Sequence, residues 1–103
     1  MQEVNRNTKQ SIGTTAEVVS LQQEEPNERV VIFITNTSTG GEIINISIDE
    51  EAKAGEGIQL QAGGYYQESK ETGFKPTQRQ ISAICDGAGG EISIHERIII
   101  GGR

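Results

Sequence analysis

Residues 29–36 read RVVIFITN, the strongest strand signal in the chain. In an extended chain Val30, Ile32 and Ile34 point one way, while Val31, Phe33 and Thr35 point the other. Both sides are apolar at the start, which predicts a central strand covered on both faces. Residues 37–41 (TSTGG) then supply a turn. Residues 42–48 (EIINISI) follow, with Ile44, Ile46 and Ile48 on one face and Asn45 and Ser47 on the other. That alternation predicts a half-buried antiparallel strand, joined to the first as a hairpin.

The same grammar recurs on either side of it. Short strands are expected within 14–21, 57–60, 65–68, 78–85 and 91–100. Ile81, Ala83 and Cys85 share a side of one, and Ile92, Ile94, Ile98 and Ile100 share a side of the last, interrupted by Glu96. Gly63-Gly64 and the glycine-rich stretch 86–90 mark turns, as does Pro26-Asn27 in the polar connection 22–28. The tetrapeptide Gly-Gly-Glu-Ile occurs at 40–43 and again at 89–92, read as reused hairpin chemistry because the flanks do not align. Residues 1–13 lack an apolar period and read as a flexible N-terminal arm, extended and able to lie across a neighbour. Residues 14–103 then form a single β-sandwich domain. The expected fold class is all-β: a small antiparallel sandwich or barrel of about seven short strands with an extended N-terminal arm.

Composition agrees. The chain of 103 residues carries fifteen Ile and five Val against two Leu, with 13 Gly. Branching at Cβ restricts χ1 and suits a pleated sheet better than a helix. Only 33% of residues are hydrophobic and 4% aromatic, a lean core for a domain of this size. The apolar tail Ile98-Ile99-Ile100 adds surface that calls for cover, so a homo-oligomer is expected, a trimer before a dimer.

The formal net charge is −6 with no cluster of cations, which argues against a nucleic-acid partner. A single cysteine precludes an intrachain disulfide. No apolar run reaches the length of a signal peptide core or a membrane span, so a soluble protein made in a cytoplasm is expected, with no membrane partner.

The residues able to carry chemistry are few. His95 lies on the side of its strand opposite Ile94, with no nucleophile motif such as G-x-S-x-G to serve it. Cys85 reads as a buried small hydrophobe with no cationic neighbour to activate it. One His and one Cys fall short of a zinc site, and the acidic run Asp49, Glu50, Glu51 and Glu56 lacks the spacing of a calcium loop. The glycine pairs are not followed by Lys-Ser/Thr and so are turns, not phosphate cradles. Two glycosylation sequons, at Asn36 and Asn45, read as chance matches. Tyr65-Tyr66 is the only aromatic pair. One ring should pack inward, leaving the other for a partner or a sugar. No catalytic, cofactor-binding or metal-binding residue is therefore expected, no cofactor, and no enzymatic activity.

The order of features across residues 28–96 resembles small β-sandwich accessory virion proteins of bacteriophages. It runs RVVIFITN, the isoleucine strand to Ile48, Gly57-Ile58-Gln59-Leu60, Gly63-Gly64-Tyr65, Ile81-Ser82-Ala83-Ile84-Cys85, a glycine turn, and Ile92-Ser93-Ile94. The resemblance implies a capsid decoration (cement) subunit, often trimeric, that binds the major capsid protein and resides in the virion. Its alternative is a spike, fibre or tail domain that binds a host surface glycan or protein. The resemblance rests on a rhythm of strands and turns, so it carries over no functional residue.

Overall fold

The chain is described by a computed structural model over residues 2–70, 73 and 75–101. Eight strands follow in order: β1 (Gln2–Ile12), β2 (Glu17–Ser20), β3 (Glu28–Asn36), β4 (Ile44–Ile48), β5 (Ile58–Leu60), β6 (Tyr65–Ser69), β7 (Ile81–Cys85) and β8 (Gly90–Ile100). They build two four-stranded sheets, β1-β8-β3-β6 against β2-β7-β4-β5, every pairing antiparallel. Only β4 and β5 are consecutive neighbours within one sheet; every other connection crosses from one sheet to the other. This wrapped order is a jelly roll. The all-β sandwich expected from the sequence is therefore the fold, with eight strands.

Isoleucine makes the interior. Ile32 and Ile34 of β3 and Ile92 and Ile94 of β8 face Ile44 and Ile46 of β4 and Ile81, Ala83 and Cys85 of β7. Ile12, Val19 and Leu60 join the same cluster from the remaining strands. The core residues of β3, β4, β7 and β8 follow the period of two, and burying each of the larger side chains contributes roughly 1.5–3 kcal/mol.

Four expectations need correction. β3 is central within its sheet, but only one face is buried. Val31, Phe33 and Thr35 on the other face are partly exposed, so the strand is covered on one side and not two. Next, β3 and β4 are not a hairpin, because they lie in different sheets. A short glycine-containing loop reads the same whether the chain doubles back or crosses over. Asn36 makes the difference: its Nδ2 donates to Glu42 O at 2.8 Å and to Leu60 O at 2.9 Å, tying the end of β3 to the opposite sheet. Thr37 N–H donates to Glu91 O of β8 at 2.9 Å, which carries the bonding to its own sheet one residue past Asn36 before the chain crosses. The second Gly-Gly-Glu-Ile also follows a crossover: Gly89 ends the β7–β8 connection and Gly90, Glu91 and Ile92 begin β8. The two loops touch: Ile43 N–H donates to Asp86 Oδ1 and Asp86 N–H to Ile43 O, each at 3.0 Å.

Instead of a flexible arm, Gln2–Ile12 forms the edge strand β1, paired with β8 along its whole length from Gln2↔Ile100 to Ile12↔Gly90. Met1 lies outside the described residues. Ile12 is the only fully buried side chain of β1, which explains why no apolar period announces it. The end of β1 is fixed by close approach. A Cβ on Gly90 would stand 2.6 Å from Ile12 O, so only glycine fits there. Finally, Ile98-Ile99-Ile100 is not an uncovered tail. It closes the central strand β8, flanked by β1 and β3, with Ile98 buried and Ile99 and Ile100 partly so.

Sheet lengths are unequal. An 11-residue strand spans roughly 37 Å at about 3.4 Å per residue, which accounts for most of the 42 Å long axis. The facing sheet has strands of only 3–5 residues. The longer sheet therefore presents a broad outer face.

Candidate functional site

That outer face is built from the outward residues of four strands. Asn5, Asn7 and Lys9 come from β1, and Ser93, His95 and Arg97 from β8. β3 adds Val31, Phe33 and Thr35, and β6 adds Tyr65 and Gln67. Their order follows from register: Asn7 stands opposite His95, His95 opposite Phe33, and Phe33 opposite Gln67.

At one side the face is aromatic. Phe33 and Tyr65 lie diagonally across the β3–β6 pair, and their rings stack with centroids 5.2 Å apart and planes 16° from parallel. Tyr65 is 61% exposed, so much of the pair meets solvent. The tyrosine pair divides as the alternation predicts: Tyr66 turns inward onto the core cluster and Tyr65 outward. At the other side the face is polar. His95 Nδ1 lies 2.8 Å from Asn7 Oδ1, and Arg97 Nε donates to Asn5 Oδ1 at 3.0 Å. Arg97 also stands 3.7 Å from Glu3, and Lys9 3.6 Å from Glu91. A sheet face carrying one exposed ring pair beside imidazole, guanidinium and amide groups can dock against a protein surface or stack a sugar.

Beneath this face lies a cluster that sequence reasoning did not find. Glu96 follows the inward period of β8 and is fully buried, as is Arg29. Arg29 reaches it because β3 carries a bulge: Arg29 pairs with Ile98 and Val31 with Arg97, leaving Val30 as the extra residue. One inserted residue turns Arg29 from the outer side, where simple alternation puts it, to the side of Ile32 and Ile34. A second bulge, between Val18 and Ser20 of β2, brings Ser20 inward from the facing sheet. Arg29 Nε donates to Glu96 Oε2 at 2.9 Å. Ser20 Oγ donates to the same oxygen and accepts from Arg29 Nη2. Arg29 also donates to the carbonyls of Leu21 (2.7 Å), Arg79 (3.2 Å) and Thr77. Glu96 Oε1 takes no hydrogen bond; Arg6 Nη1 of β1 approaches it at 3.3 Å as a charge partner. The cluster pins both sheets and the loops around 21 and 77–79 at one end of the sandwich. The only advance signal was a glutamate breaking an isoleucine period.

The other singled-out residues are dispersed. Cys85 is buried in the core, as expected, on the opposite sheet from His95. The acidic residues 49–51 and 56 belong to the β4–β5 connection, which folds over the outside of the shorter sheet. There Ser82 Oγ donates to Glu50 O at 2.7 Å, Gly55 N–H donates to Asn45 Oδ1 at 3.1 Å, and Ala52 is buried. Asn45 is consequently only 3% exposed and does not face solvent, contrary to the alternation. Both sequon asparagines are thus buried in the fold, Asn36 completely. Among the described residues no group of three or more His, Cys, Asp or Glu is placed to hold a metal ion.

Tyr66 yields a pH test of the β6 placement. Its hydroxyl donates to Glu68 Oε1 at 2.6 Å. Burial first, then that hydrogen bond and the Glu68 charge, push the phenol well above its ordinary value of 10.0. The folded state therefore holds the neutral phenol more strongly than the unfolded chain does. Its contribution is complete below pH 10 and lost as the pH rises further. We expect the melting temperature to fall steeply above that pH and Tyr66→Phe to flatten the fall. An identical alkaline limb in the variant would show that the phenol is solvated.

A scan against protein-family models and a search of curated proteins each return no match to this chain.

Proposed function

We propose that the protein is a virion structural subunit, a capsid decoration or cement protein that binds and stabilises a shell of major capsid protein. It acts by binding and not by catalysis, its partner is a protein surface, and it resides in the virion after synthesis in the host cytoplasm. The observation that carries this reading is the jelly-roll strand order, an architecture recurrent in viral capsid domains. The phage-like order of features across 28–96 supports it, and the broad outer face of the longer sheet supplies a surface suited to a shell. A second reading, a spike, fibre or tail domain binding a host glycan or protein, is favoured by the exposed Tyr65 ring stacked on Phe33. Jelly rolls also serve as lectins.

The test is a protein inventory of purified particles, followed by rebinding. A cement subunit appears in amounts comparable to the major capsid protein, whereas a spike or tail component is minor. Its absence from particles would defeat both readings. Tyr65→Ala should then lower affinity for undecorated shells roughly tenfold or more, while thermal stability falls only by the loss of its stack on Phe33, about 0.5–1.5 kcal/mol, and the protein stays folded. Unchanged affinity in that variant would move the contact away from this face.

A further inference from the structure

We propose that residues 2–11 form an exchangeable strand, pairing either with β8 of their own chain or with β8 of a second copy, so that the protein assembles by strand exchange. Ten residues of β1 contain no buried side chain; the only one in the strand is Ile12, at its end. Leaving the parent domain therefore opens no cavity in its core. What departure does cost is the main-chain ladder, the half-buried packing of Val4, Arg6 and Gln10, and the Arg6 charge beside buried Glu96. The ladder runs unbroken, without a bulge, from Gln2↔Ile100 onward, and an open β8 edge must be covered again. The covering strand that fits is β1 itself, because another copy supplies the same ladder and the same side-chain pairs, Asn7 with His95, Asn5 with Arg97 and Arg6 with Glu96. Strand energies before and after exchange are thus matched.

The pivot lies at Ile12-Gly13. Gly13 O accepts from Cys85 N–H at 2.8 Å, which anchors the chain there while the segment before it swings. Reach is sufficient: ten extended residues cover roughly 34 Å, against a molecular width of 22 Å. Charge favours the same occupant. Within 2–11, Arg6 and Lys9 against Glu3 leave +1 on a chain of net −6, so a cationic strand meets an acidic neighbour. Exchange in a head-to-tail sense closes into a ring or, where the rotation does not close, continues as a chain of subunits.

Lys9 and Ser93 are register partners on the exposed outer face, and directly opposite Cα atoms in an antiparallel pair lie within disulfide range. We therefore test Lys9→Cys/Ser93→Cys in a Cys85→Ala background. The protein is refolded at low and at high concentration, then oxidised and run on a non-reducing denaturing gel. Exchange gives covalent dimers and larger species whose share grows with refolding concentration at the expense of the internally bridged monomer. A monomer alone at every concentration overturns the proposal. So does equal cross-linking of Lys9→Cys/Gln67→Cys, whose cysteines lie on strands that do not pair, since that would report collisions. Should the Cys85→Ala background fail to fold, the same comparison is made with the buried Cys85 retained. The readout needs no virus particle, so its failure is separate from any failure of the functional reading.

Discussion

Arg29→Met is expected to destabilise the protein by about 3–5 kcal/mol, the cost of leaving one partner of a buried ion pair without the other. Arg29 and Glu96 are both fully buried, and the guanidinium is the group that directly donates to the carboxylate at 2.9 Å. Without it, Glu96 keeps the Ser20 hydroxyl and the partly exposed Arg6 at 3.3 Å, too little to replace a desolvated charge partner. The carbonyls of Leu21, Thr77 and Arg79 lose their donor as well. Single domains have only about 5–15 kcal/mol to lose, so the variant should be largely unfolded on mild heating. Arg29→Met/Glu96→Leu is the informative companion. Removing both charges takes away the uncompensated carboxylate, and most of the loss should return. Denaturant midpoints for the two variants give the comparison. A double variant as unstable as the single one would locate the cluster's worth in the three loop carbonyls instead of the ion pair.

The same cluster shows what the sequence could and could not reveal. β3, β4, β7 and β8 were legible within a few residues, because Cβ-branched runs alternate cleanly and glycines punctuate them. What hid Arg29 was a single bulge. An extra residue at Val30 shifts the phase of everything before it, and nothing in RVVIFITN marks where the phase slips. β1 was illegible for a different reason. An edge strand held by its ladder needs no buried face, and its partner β8 lies at the other end of the chain. The crossover from β3 to β4 turned on Asn36, whose bonds to Glu42 and Leu60 only the assembled sandwich supplies. The candidate face is a mixture of the two cases. The outward aim of Tyr65 followed from alternation, but its stacking on Phe33 depended on the β3–β6 pairing, between strands separated in sequence by two others.

Ile44→Asp should abolish folding, and Asn45→Asp should cost a smaller but measurable amount, although the two positions are adjacent. Ile44 is fully buried between the sheets, opposite Leu60 and Cys85 in register. A carboxylate there has no partner, and burying it costs several kcal/mol, comparable with the whole stability. Simple alternation would send Asn45 to solvent and make its variant silent. Instead the β4–β5 connection covers it, with Gly55 N–H donating to its Oδ1 at 3.1 Å and its Nδ2 unpartnered. Aspartate keeps the acceptor for Gly55 and loses only an amide that was unsatisfied, which favours the replacement. Against that, it places a charge in a 3% exposed site beneath a connection that carries Glu50, Glu51 and Glu56. The charge should dominate, at about 1–3 kcal/mol. Desolvation would raise the pKa of the introduced carboxyl group, so its penalty is present at neutral pH and shrinks as the pH falls and the group takes up a proton. Melting curves at neutral and acidic pH distinguish the outcomes. An Asn45→Asp variant silent at both pH values would mean the connection lifts off the sheet in solution, and losses equal to those of Ile44→Asp would contradict the inward–outward assignment of β4.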